Sequence, residues 1–133
     1  MLQAQQNKYL STSVQTASPA HLLIMLYDGA IRFCRAGIEA MKQNRYEEVN
    51  RNLVKAQDIV RELMATLDPK QPISADLAQL YDYFIFRLVE ANLKKETEAV
   101  EEVLEYLVSL KETWIQASRA AAGGQAAVGA TYA

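Results

Sequence analysis

The sequence predicts an all-α fold, an antiparallel up-down-up-down four-helix bundle preceded by an N-terminal arm. Three observations predict it. Four long stretches carry apolar residues at alternating steps of three and four, the period of a helix. Two of the connections, Asn44-Arg45 and Lys95-Glu96, are very short, and short loops between long helices make antiparallel neighbours. No stretch reads as a strand.

Residues 1–17 form the arm. Met1 to Lys8 is rich in glutamine, and Tyr9, Leu10 and Val14 then stand singly among Ser, Thr and Gln. Such an arm either frays or folds back to rest its few apolar side chains on the bundle. The bundle itself spans 18–119. Its first helix runs from Pro19 to about Gln43, with Ser18 as cap and proline at the first helical position. The second runs from about Tyr46 to Leu67, and a turn-like stretch, Asp68 to Ser74, is bracketed by Pro69 and Pro72. The third runs from Ala75 to about Lys95, capped by Ser74, and the fourth from Thr97 to about Ala120. Residues 120–133 read as a flexible Ala/Gly tail containing Gly123, Gly124 and Gly129.

Helix two has a seam of Val49, Leu53, Ala56, Val60, Leu63 and Leu67, and helix four repeats it with Val100, Val103, Leu107, Leu110, Trp114 and Ala117. Both suit shallow knobs-into-holes crossings. Tyr106, Val108 and Ile115 flank the second seam and widen it. Helices one and three are wider still. Helix one turns Leu22, Leu23, Leu26, Ala30, Phe33, Cys34 and Met41 to one face, and the stripe continues through Tyr27, Ile38, Ile31 and Ile24. About half of its circumference is apolar, more than a core-facing helix needs. Asp28 and Arg35 lie just beyond the far edge, so Ile24 and Ile31 are expected to border solvent. Helix three points Leu77, Leu80, Tyr81, Phe84 and Leu88 inward and leaves Ile85, Phe86, Val89 and Leu93 over. The surplus is either a subunit interface, a seat for the arm, or a groove for an amphipathic partner helix. Each reading makes it an interaction surface.

Composition narrows the function. A chain of 133 residues, 50% apolar and 23% charged, fits one domain with an ordinary core. A formal charge of −2 gives no basis for nucleic acid as a partner. The longest apolar run, Leu22 to Tyr27, falls far short of the about 20 residues that cross a bilayer, so direct membrane insertion is not expected. One cysteine and no recognisable secretory signal lead to the expectation of a cytoplasmic protein.

Catalytic chemistry finds no foothold. A di-metal carboxylate site in a bundle needs Glu-x-x-His motifs, and the single histidine, His21, belongs to none. Cys34 would need a histidine base, and His21 lies nearly four turns away on the same helix. Cys34 therefore reads as a small core hydrophobe and His21 as a solvated surface imidazole. No metal, cofactor or catalytic residue is expected. Tyr81-Asp82-Tyr83 reads equally as a polar binding rim or as two core-edge tyrosines around a solvated aspartate. Gly29 costs a helix about 1 kcal/mol relative to alanine, so it implies close approach by a neighbouring helix or a bound partner.

The stretch Thr16-Ala17-Ser18-Pro19-Ala20-His21-Leu22-Leu23-Ile24-Met25-Leu26-Tyr27-Asp28-Gly29-Ala30-Ile31 resembles the start of the flagellin-specific export chaperones, the FliS family. Lys55-Ala56-Gln57-Asp58-Ile59, Leu80-Tyr81-Asp82-Tyr83, Leu88-Val89-Glu90-Ala91-Asn92 and Trp114 agree with it in order and spacing. The resemblance covers about Tyr9 to Ala117. It implies a four-helix chaperone in the bacterial cytoplasm that binds the disordered C-terminal segment of flagellin, prevents premature polymerisation, and docks on the export gate of the flagellar type III secretion apparatus. It also implies that Tyr9, with Leu10 and Val14, acts as a lid on the binding surface when cargo is absent. His21 stands where the family usually has Glu or Gln, which removes the reciprocal capping box. The loop Asp68 to Ile73 lacks the family's frequent glycine pair, and the Ala/Gly tail matches nothing in it.

Surplus surface and resemblance together assign a cargo groove to Ile24, Tyr27, Ile31, Ile38, Ile85, Phe86, Val89 and Leu93. The free protein is then a monomer or weak dimer. The alternative is a homo-oligomeric structural bundle with no cargo.

Overall fold

The computed structural model describes residues 18–132, with side chains as far as residue 121. The arm and its Tyr9, Leu10 and Val14 lie outside the described residues. Among those described there are four helices and no strands: α1 (Pro19–Lys42), α2 (Tyr46–Ala65), α3 (Ile73–Lys94) and α4 (Glu98–Tyr132). α1 packs beside α2 and α4, and α3 packs beside the same two, so α1 and α3 face each other across the diagonal. This is the expected up-down-up-down bundle.

The helix ends show how a chain without loop glycines turns so tightly. Ser18 Oγ accepts from the His21 backbone N–H at 3.2 Å, and Pro19 opens the helix. At the other end Asn44 takes a left-handed conformation, φ 57°, and Arg45 N–H donates to Ala40 O at 2.9 Å. Asparagine tolerates this region better than most residues. Lys95 closes α3 the same way, at φ 56°, without that tolerance. Its ammonium donates to Asn92 Oδ1 at 2.6 Å, a local tie that holds the turn.

Two boundaries differ from the sequence reading. Ser74 does not cap α3, which begins at Ile73. Its hydroxyl instead donates to Asp68 O at 2.5 Å, closing the α2–α3 loop on itself, and Ser74 is buried. α4 continues to Tyr132 rather than stopping near Ala120. Alanine is the strongest helix former, and glycines in a row of alanines weaken a helix without breaking it as proline does.

Both predicted seams enter the core over most of α2 and the first half of α4, while Ala117 at the end of the second seam is exposed. Val49, Leu53, Ala56, Val60 and Leu63 of α2 and Val100, Val103 and Leu107 of α4 are fully buried. Farther along, Leu67, Leu110 and Trp114 are only half-buried, and so are Leu22, Leu23 and Leu26 of α1, because the bundle opens at this end. α1 is rotated from the expected orientation by about 60°, at 100° per residue. It turns Tyr27, Ala30, Ile31, Cys34, Ile38 and Met41 inward and leaves Phe33 half-buried at the edge, under Arg32 and Lys55 at 5.2 and 5.4 Å from its ring.

Glycine explains the rotation. A Cβ on Gly37 would stand 2.7 Å from Leu53 Cδ2, and one on Gly29 would stand 3.0 Å from Ile59 Cδ1. α2 therefore lies against the glycine edge of α1, and the opposite apolar edge swings toward α4 and the centre. The wide stripe of α1 is consumed by two neighbours and a diagonal contact.

Candidate functional site: two faces on opposite sides of the bundle

The diagonal contact is polar. Tyr27 and Tyr81, both buried, meet hydroxyl to hydroxyl at 2.5 Å in the middle of the core. Burial removes water from the phenolate form and pushes both pKa values up; for Tyr81 the Tyr27 hydroxyl pushes the same way, whereas for Tyr27 the hydrogen bond works against burial. The indole N–H of Trp114 also lowers the Tyr27 pKa, yet this buried atom reaches no acceptor with good hydrogen-bond geometry. Burial raises Cys34 to about 12. These groups hold the centre of the bundle closed. They offer nothing to a ligand.

The first open face lies on α3 and α2. Phe86, Val89 and Leu93, spaced as one helical stripe, are 63%, 38% and 80% exposed. The Asn92 amide donates to Asn50 Oδ1 at 2.8 Å, which sets the antiparallel register of α3 on α2. Stepping along that register brings Val54, itself exposed, beside Val89, and sets Gln57 opposite the half-buried Ile85. At the far end a shallow cavity of about 490 Å³ opens between the helices, lined by Met64, Leu67, Pro69, Pro72, Ala75 and Ala78 among others. Apolar surface thus appears at both ends of this face, as a strip of Phe86, Val89, Leu93 and Val54 at one end and as the cavity beside the α2–α3 loop at the other, with the exposed Asp82 and the Asp58–Arg61 pair between them.

The second face is the α1–α4 furrow. Asp28 and Lys111 pair across it. A depression of about 250 Å³ there is lined by Asp28, Ile31, Arg32, Arg35, Val108 and Lys111. A third surface, between α3 and α4, is polar. Glu102 accepts from Tyr83 Oη at 2.6 Å and from Arg87 Nε at 2.9 Å, and Arg87 also pairs with Glu90 at 3.0 Å. The Tyr83 hydroxyl and the Arg87 guanidinium hold Glu102 below the usual carboxylate range and raise their own pKa values in return.

The eight residues expected to form one groove therefore divide. Phe86, Val89 and Leu93 are exposed, and Ile85 and Ile24 are half-buried. Tyr27, Ile31 and Ile38 are buried, 0%, 5% and 8% exposed, because the rotation of α1 turns them inward, and of the three only Ile31 reaches the floor of the α1–α4 depression. The α1 and α3 sets sit on diagonal helices, so they face opposite sides and share no groove. Of Tyr81-Asp82-Tyr83, the first is core, the aspartate is exposed, and Tyr83 binds Glu102. Val54 and the Met64–Ala78 cavity were missed. The signal for Val54 was present, since a valine off the α2 seam has no core position to fill.

A helical bundle with an apolar strip on one side and a charged furrow on the other has the surfaces of a protein that holds another chain. Among the described residues no group of His, Cys, Asp and Glu is arranged to hold a metal ion, and no helix is long and apolar enough to cross a membrane. Residues 1–121 match the model of the family described as Flagellar protein FliS. The chain is 40% identical over 109 residues to the flagellar secretion chaperone FliS of Bacillus subtilis (strain 168), covering 82% of each. It is 36% identical over 112 residues to the FliS chaperone of Salmonella typhimurium, covering 82% of this chain and 83% of the relative. With that of Vibrio cholerae it shares 31% over 117 residues, 86% of each. The chain belongs to the FliS family, whose members among these relatives are named as flagellar secretion chaperones.

Proposed function

We propose that this protein is a cytoplasmic export chaperone that binds the C-terminal segment of flagellin, keeps it from polymerising, and delivers it to the flagellar type III export gate. The observation that carries this reading is the exposed strip of Phe86, Val89, Leu93 and Val54 on a chain of this family. Such a strip is costly to leave in water and suits the apolar side of a partner helix. A disordered segment that folds on binding buries about 1,000–3,000 Å² and loses a few kcal/mol to ordering, so it needs a long surface. Two faces on opposite sides of the bundle favour a segment that wraps around it. Tyr9, Leu10 and Val14 act as a lid on the binding surface when cargo is absent.

Calorimetry with the flagellin C-terminal segment tests this. The expected result is a one-to-one complex, a negative heat-capacity change and a gain of helical circular dichroism. Phe86→Glu and Leu93→Glu should each weaken binding at least tenfold while leaving the fold intact. A titration without heat or helix gain, together with a stable oligomer by light scattering, would make the strip a subunit interface instead.

A further inference from the structure

The α1–α4 furrow is organised in rungs. The Asp28–Lys111 pair fixes the antiparallel register, which puts Ile24 opposite Ile115, Ile31 opposite Val108, and Arg35 opposite Leu104. Apolar rungs thus lie on both sides of the ion pair. Ile31, 5% exposed, forms the floor of the depression, and Val108, 41% exposed, forms its wall.

Its charge is unbalanced. The one carboxylate lining the depression, Asp28, is engaged by Lys111. Arg32 and Arg35 line it too, both exposed, and among the described residues neither makes an ion pair. Arg32 leans over the Phe33 ring, which leaves its guanidinium edge available. Glu39 on α1 is already hydrogen-bonded to Gln43, and Glu101 on α4 stands farther along, opposite Ile38. Guanidinium groups donate in a planar fork that matches the two oxygens of a carboxylate better than any other side-chain donor does. An aliphatic floor with one guanidinium group at the next position, Arg32, and another about one helical turn on, Arg35, is a composite feature, apolar and cationic at once.

The geometry points to a docking point for an aliphatic side chain followed about one turn later by a carboxylate, both carried by the flagellin segment. The aliphatic group rests on Ile31 and Val108, and the carboxylate meets Arg35 and Arg32. The inference rests on the cargo reading and adds to it a charge requirement that the apolar strip on α3 does not impose. The furrow therefore selects which part of the cargo lies on this side of the bundle.

The test is titration of the full chain with a synthetic flagellin C-terminal segment at about 50 and about 300 mM salt, a range that roughly halves the Debye length. Wild-type affinity should fall with salt. Arg32→Glu combined with Arg35→Glu should weaken binding about tenfold or more at the lower salt and flatten the salt dependence. Arg32→Lys with Arg35→Lys should keep most of both. Val108→Glu, which supplies a carboxylate to the arginines from within, should mimic the double reversal while the cations remain. Thermal melts of every variant should overlay the wild type, since these side chains are exposed. Unchanged affinity and salt dependence in the double reversal would overturn the inference and leave the cargo reading standing. No binding by the wild type would remove both.

Discussion

Gly29 and Gly37 lie on one helix, about two turns apart, and Gly→Ala should act on them with opposite sign. In a helix interior the change to alanine gains about 1 kcal/mol from propensity alone. That gain is common to both sites, so the difference between them measures packing. At Gly37 the new methyl meets Leu53 Cδ2 at 2.7 Å and Cγ at 3.3 Å, with Leu53 fully buried in the centre of its seam. Leu53 cannot retreat without displacing its own neighbours, and overpacking of this kind costs about 1–3 kcal/mol. At Gly29 the methyl meets only the terminal Cδ1 of Ile59 at 3.0 Å, and Ile59 is half-buried, so its tip can shift by a few tenths of an ångström. The expected outcome is a gain of about 0.5–1 kcal/mol for Gly29→Ala and a loss of up to about 2 kcal/mol for Gly37→Ala. Urea melts followed by circular dichroism read this directly. The midpoints should move apart while the slopes stay equal. If Gly37→Ala stabilises the protein as much as Gly29→Ala, then α2 does not approach α1 at Gly37, and the explanation for the rotation of α1 fails with it.

Other outcomes follow from burial. Ile31→Glu should lose about 3 kcal/mol or more, because it removes a buried aliphatic group and buries a carboxylate, whereas Phe86→Glu should stay within about 0.5 kcal/mol; denaturant melts that rank them the other way would refute the assigned rotation of α1. Cys34, fully buried and raised to about 12, should resist alkylation at pH 8 in the native protein and react at full rate in denaturant. Tyr27, Tyr81 and Cys34 all have native pKa values above their unfolded ones, so their contribution is complete below about pH 9 and is lost as pH rises from there, the unfolded chain losing its protons first. Midpoints measured from pH 7 to 11 should be flat and then fall, and Tyr81→Phe should reduce the fall.

Most of the fold was legible because seams and turns are local. The α2 and α4 seams needed only their own spacing, and Asn44-Arg45 and Lys95-Glu96 could be placed without knowing that left-handed residues close them. The exposure of the candidate site residues was half legible. Phe86, Val89 and Leu93 stand out on α3 because they fall on the side away from both neighbours. On α1 the same reasoning misplaced Ile31 and Ile38, since a hydrophobic stripe reports its own width and not how many partners divide it. The partner that mattered, α2 at Gly37, announces itself only through the Leu53 contact, and that contact belongs to no single stretch of sequence. Ser74 was misread as a cap for a related reason: its hydroxyl answers to Asp68 across the loop and not to its own helix.

The separation of the two faces sets a minimum length and a manner of leaving for whatever chain spans them. Helices about 10 Å across make the path from the α3 crest to the α1–α4 furrow roughly 30 Å, nine or ten extended residues at about 3.3 Å each. A ligand that reaches both behaves as a linked pair of weak binders, in which each contact raises the local concentration of the other. Either end can then detach and rebind many times before the whole chain departs. A second protein that seizes the loosened end would compete with only half of the grip at a time, so a ligand held in this way would change hands without ever being free in solution.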